Sequence, residues 1–135
     1  MLVATGLIFP AVSAAADQPN QRIIVEKFLD DQHNPPKLLG FSAYHDRTGR
    51  VCRIDLRVRR NRVTEDLFLG FAALADLAWK TRQSYKEFIV TLYFDQAGQP
   101  PQVWVATAEP TIECFIKKEL ALENWSSLSL YKREL

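Results

Sequence analysis

The chain has 135 residues, 47% of them apolar, and a formal net charge of +1 at pH 7. That length supports one domain with one core, and so small a net charge gives no global field to draw in a polyanion. Its two histidines and two cysteines, His33, His45, Cys52 and Cys114, are scattered, which leaves little room for a zinc site of four closely spaced ligands, and no metal or other cofactor is expected.

Residues 1–16 carry no charge, and 2–12 are mostly apolar. Ala14 and Ala16 then match the small-x-small pattern that signal peptidase cleaves, with Asp17 next. The apolar run is too short to span a bilayer. The basic residue usual near the start of a leader is missing. The expectation is a signal peptide over 1–16 and a periplasmic or secreted protein. The other reading is a buried N-terminal segment of a cytosolic domain. No cysteine follows the cleavage motif, which argues against a lipid anchor. Residues 17–22 read as a loose start to the mature chain, within an N-terminal segment 17–36.

Residues 23–31 suit a short helix, which Asn34-Pro35-Pro36 stops. Residues 37–45 read as a strand with Leu39, Phe41, Ala43 and His45 on one face. Asp46-Arg47-Thr48-Gly49 is a hairpin signal. The next strand alternates, with Cys52, Ile54, Leu56 and Val58 inward and Arg53, Asp55, Arg57 and Arg59 outward. Thr64 is placed to cap the main helix, over about 64–82. Glu65 and Asp66 stand in its first turn, Lys80 and Arg82 at its end, each with the sign the helix dipole favours. Leu67, Phe71, Leu74, Ala75 and Ala78 make its buried stripe.

A third strand turns Phe88, Val90, Leu92 and Phe94 inward. Its outer residues, Ile89, Thr91 and Tyr93, are too apolar for a plainly solvated face; either a terminal segment covers them or they form a contact surface. A turn over 95–101 leads to a fourth strand, 102–107. Ile112, Cys114 and Ile116 share a parity that predicts a fifth strand over 111–117, and 118–124 suit a short helix. Residues 125–135 read as a polar tail. The expected fold is therefore α+β, an antiparallel sheet of four or five strands with the 64–82 helix on one face, in a single domain over 37–124.

Four patterns lie between residues 44 and 110: V-C-R-I-D-L-R-V from Val51, T-E-D-L from Thr64, a strand running from Tyr85 to Tyr93, and W-V-A-T from Trp104. Together they resemble a small α+β domain of uncharacterised bacterial proteins, many of them exported. The resemblance covers about half the chain and implies a fold but no catalytic residue.

Three groups of residues bear on function. Cys52 and Cys114 both fall on apolar strand parities, so two readings stand: a disulfide, or two buried free thiols. A bond closing a loop of roughly 60 residues would add about 4 kcal/mol in the chain-entropy model. Between Asp46 and Arg62 stand seven arginines, no lysine and two aspartates. Arg53, Arg57 and Arg59 share the outer face of one strand, and the arginine fork suits carboxylate or phosphate. Such a face fits an acidic protein, or the phosphate of anionic lipid or polysaccharide, unless Asp55 and its neighbours pair it off. Nucleic acid is disfavoured by export and by the lack of aromatic residues interleaved with the arginines. Trp79, Trp104 and Trp125, the third feature, are either core and rim packing or an exposed aromatic anchor for a partner.

No Ser-centred elbow, phosphate loop or dinucleotide fingerprint occurs. His45 and Asp46 are strand neighbours and point apart. The expected function is a non-enzymatic exported envelope protein that binds another macromolecule, with an envelope protein as the favoured partner and Arg53, Arg57, Arg59 and Trp104 as the binding residues. An anion-binding module and a small hydrolase built around His45 are the alternatives.

Overall fold

A computed structural model of the chain describes residues 10–134, with side chains from residue 20. The described elements run α1 (Pro10–Asp30), β1 (Lys37–His45), β2 (Arg50–Val58), α2 (Val63–Thr81), β3 (Glu87–Phe94), β4 (Gln102–Thr107), α3 (Ala108–Phe115), α4 (Leu122–Ser129) and β5 (Leu130–Arg133). The strands form one sheet in the order β1-β2-β3-β4-β5. All neighbours are antiparallel except β2 and β3, which are parallel because α2 carries the chain back between them. The expected α+β class holds, with this parallel pair at its centre.

The main core lies between the sheet and the helices. Cys52, Ile54, Leu56 and Val58 from β2 and Phe88, Val90 and Leu92 from β3 meet Phe71, Leu74 and Leu77 of α2. Gly70 lets α2 lie close: a Cβ there would come within 3.0 Å of Leu56 Cδ1 and 3.1 Å of Val90 Cγ1. Helix α1 packs on α2 and reaches β1. Helix α2 ends in an Arg82 with φ 55°, left-handed, whose N–H bonds back to the helix carbonyls.

Several expectations need correction. The helix expected over 23–31 is the end of the longer α1, and 17–22 lie inside it. Gln21 is buried there, its Nε2 donating to the Tyr85 hydroxyl at 3.3 Å. The expected leader, 1–16, begins outside the described residues. In β1 a bulge between Leu38 and Gly40 shifts the register, so Leu38 rather than Leu39 packs on the core. Helix α2 starts at Val63, after a 3-10 turn over Arg60–Arg62, and Thr64 does not cap it. Residues 111–117, expected as a strand, belong mainly to α3. The proline at 110 fits the first turn of a helix, where no backbone N–H partner is lost.

Residues 125–134, expected to belong to a tail over 125–135, are part of the fold. Trp125 is fully buried, with edge-on contacts to Phe68, Phe71 and Phe115. Strand β5 pairs with β4 from Val103↔Arg133 to Ala106↔Leu130. The fifth strand therefore exists, but it comes from the last described residues.

Candidate functional site

The described helices pack on one side of the sheet, which leaves the other side open. Strand parity and register decide what stands there. Val51, Ile89, Val103 and Val105 form a second, small apolar cluster at its centre. Tyr44 lies beside Val51, Arg53 between Ser42 and Ile89, and Arg57 between Lys37 and Tyr93. Tyr131 lies beside Val105 and Arg133 beside Val103. Tyr44, Tyr93 and Tyr131 are 40%, 37% and 49% exposed and surround a floor that is nearly closed.

The Asp46 carboxyl accepts bonds from the Thr48 hydroxyl and N–H, both at 2.8 Å, which hold it below the usual carboxylate value. Arg133 of β5 is close enough to add to that effect.

The two central arginines of the open face have acidic partners. Arg53 Nε lies 2.9 Å from Asp55 Oδ1 and Arg57 Nε 3.6 Å from Asp95 Oδ1. The Asp55 carboxylate lies back over β1, where a Cβ on Gly40 would meet Oδ2 at 3.0 Å. Partial burial works against the Arg53 charge, but the bonded Asp55 and the nearby Tyr93 and Tyr44 more than offset it and hold the guanidinium above its ordinary value. Between strands, then, tyrosines do flank the arginines, although along the chain they do not.

The sequence-predicted site divides. Arg53 and Arg57 are on the open face. Arg59 is not, because β2 ends at Val58 and the following turn sends Arg59 to hydrogen-bond Asn34. Arg50 and Arg62 leave too: Arg50 bonds Gln83 and covers the Tyr85 ring at 5.4 Å, and Arg62 lies 3.6 Å from the buried Asp66. Trp104 stands on the helix side, packed on the core, its Nε1 donating to Gln102 Oε1 at 3.0 Å. It cannot anchor a partner on the arginine side.

Cys52 and Cys114 are buried and free. Cys52 is on β2 and Cys114 on α3, where the expected strand would have put it in the sheet. Burial pushes the Cys52 thiol up to about 12 and raises that of Cys114. Tyr85, next to Cys52, is pushed up to about 12 by the same cause.

Sequence reading missed Tyr44, Tyr131 and Arg133. Tyr44 was legible as the outward parity opposite Phe41 and Ala43. The other two depended on recognising a four-residue edge strand. A second concavity was missed as well, a cleft of about 500 Å³ between the end of α2 and α3 that holds Trp79.

Among the described residues no group of three or more His, Cys, Asp or Glu is placed to share a metal ion, and no helix is long and apolar enough to cross a membrane. Comparisons with protein-family models, with curated proteins and with solved structures gave no match, so the fold and the site rest on the residues described above.

Proposed function

We propose that this chain is a non-enzymatic, exported protein of the cell envelope that docks a protein partner on the open face of its sheet. The observation that carries the reading is the ring of partly exposed tyrosines, Tyr44, Tyr93 and Tyr131, set with Arg53 and Arg57 on a face that no described helix covers. Tyrosine and arginine are the residue types that concentrate binding energy at protein interfaces. Charge balance favours a protein over a polyanion. Nucleic acid or an anionic bilayer draws its affinity from unmatched cations, whereas Asp55 and Asp95 already match the two arginines. Export is supported by the apolar start and the Ala14-x-Ala16 motif.

The test is Arg53→Glu with Arg57→Glu, in a protein whose circular dichroism is unchanged. Loss of the partner captured by the wild-type chain supports the reading, and unchanged capture refutes it. Salt-sensitive binding to anionic liposomes, or to single-stranded oligonucleotide, with no protein captured would move the assignment to a phosphate-bearing ligand. Export is tested by the mass of the protein recovered from cells: a chain starting near Asp17 supports it, and a full-length chain removes it.

A further inference from the structure

The cleft between the end of α2 and α3 is separate from the open face and carries its own chemistry. Its volume, about 500 Å³, lies in the range of small-molecule sites. Trp79 forms one wall and is 53% exposed, an unusual position for a side chain of that size. Ala78 and Ile112 extend the apolar wall. Lys117 Nζ stands 5.7 Å from the centre of the Trp79 ring.

Polar groups converge on the same space. Arg82, Lys117 and Glu109 all line it, yet none of the three makes an ion pair among the described residues. Arg82 adopts the left-handed conformation at a helix end where glycine is usual, which costs on the order of 1 kcal/mol. Gln83 is fixed from behind: Arg50 donates to its Oε1, and Arg50 in turn lies against Tyr85. The amide nitrogen of Gln83 is left as a donor, and the exposed Ser84 hydroxyl stands next to it. Basic residues at helix ends are favourable in themselves, but that does not account for an exposed tryptophan, an unpaired glutamate and a braced glutamine around one cleft.

The geometry points to a binding site for an anionic saccharide unit. A pyranose presents an apolar face of C–H groups to Trp79, and its hydroxyls both donate and accept. Glu109, which can only accept when ionised, accepts a hydrogen bond from one hydroxyl, and Gln83 and Ser84 serve the others. The single negative group, carboxylate or phosphate, meets Arg82 and Lys117. A free aromatic amino acid would also satisfy Glu109 and Arg82, but it would leave Gln83 and Ser84 facing apolar atoms.

The experiment titrates the full chain with glucuronic acid, glucose 6-phosphate, glucose and phenylalanine. Tryptophan emission and calorimetry are followed; Trp104 is half-buried and Trp125 buried, so Trp79 is the ring most open to a ligand. Saturable binding of one or both acidic sugars is expected, at least tenfold tighter than glucose. The acid that binds tells carboxylate from phosphate. Trp79→Ala abolishes the binding, and Arg82→Gln with Lys117→Gln lowers it at least tenfold, to the level of glucose. All three residues are exposed, and circular dichroism confirms that the variants fold. No saturable binding of either acid, undiminished binding by Trp79→Ala, or equal binding of glucose or phenylalanine overturns the assignment.

Discussion

Trp125 Nε1 donates to Thr111 Oγ1 at 2.8 Å, and the Thr111 hydroxyl in turn donates to the Thr107 carbonyl at 2.7 Å. Both side chains are completely buried. The pair ties the last helix to α3 and, through Thr107, to the end of β4. Each donor in the chain has an acceptor, so the indole is buried without leaving its N–H unpaired.

Trp125→Ala should therefore lower stability by about 3–5 kcal/mol, the usual cost of emptying a large aromatic site. Thr111→Val keeps the shape but leaves the indole N–H without its partner, a loss of about 1–3 kcal/mol. Urea unfolding of the two variants checks the order. Removing 125–135 should leave no cooperative transition, since β5 goes as well. A stable truncated chain would restore the reading of that segment as a tail.

That reading failed for a physical reason. Among the described residues of its segment Trp125 is the only fully buried large side chain, and β5 supplies four residues, too few for alternation to register. Long amphipathic elements were legible: the Leu67, Phe71, Leu74 and Ala78 stripe lies in the core, as does the inward parity of β2. In α3, Ile112, Cys114 and Ile116 satisfy a period of two, but Ile112 and Ile116 also satisfy i,i+4, and eight residues do not separate the periods. The open face was legible strand by strand. What brings Tyr44, Tyr93 and Tyr131 together is the strand order, and no local pattern encodes it.

Gly70→Ala tests how closely α2 lies on the sheet. Alanine improves helix propensity by about 1 kcal/mol. Its methyl would press on Leu56 and Val90 from 3.0–3.2 Å, and overpacking of this kind costs about 1–3 kcal/mol. A net loss in thermal stability is expected, and a gain would mean the helix stands off farther.

The cysteines and Tyr85 predict an alkaline limit. In the folded chain the Cys52 thiol and the Tyr85 hydroxyl are raised to about 12. Unfolding returns them to ordinary values of 9.0 and 10.0. The unfolded chain then loses protons first, so stability is full below about pH 9 and falls as pH rises toward about 12. Cys52→Ala removes one of the two groups and should flatten that slope. At pH 8 the native Cys52 stays a protonated, buried thiol, so a thiol reagent should label it only on unfolding. Intact mass without reductant should match two free thiols; a mass lower by two hydrogens would mean that the cysteines pair.

The measurement that bears most directly on the open face as a docking surface is a map of photo-cross-links in cells. A benzophenone side chain replaces Tyr44, Tyr93 or Tyr131 in turn, with exposed Glu65 on α2 and Leu128 on α4 as controls. One adduct of constant mass from the three tyrosine positions, absent from the controls and lost when Arg53→Glu and Arg57→Glu are added, is the predicted result. Adducts from Glu65 or Leu128 with none from the tyrosines would contradict it and place the partner on the helices.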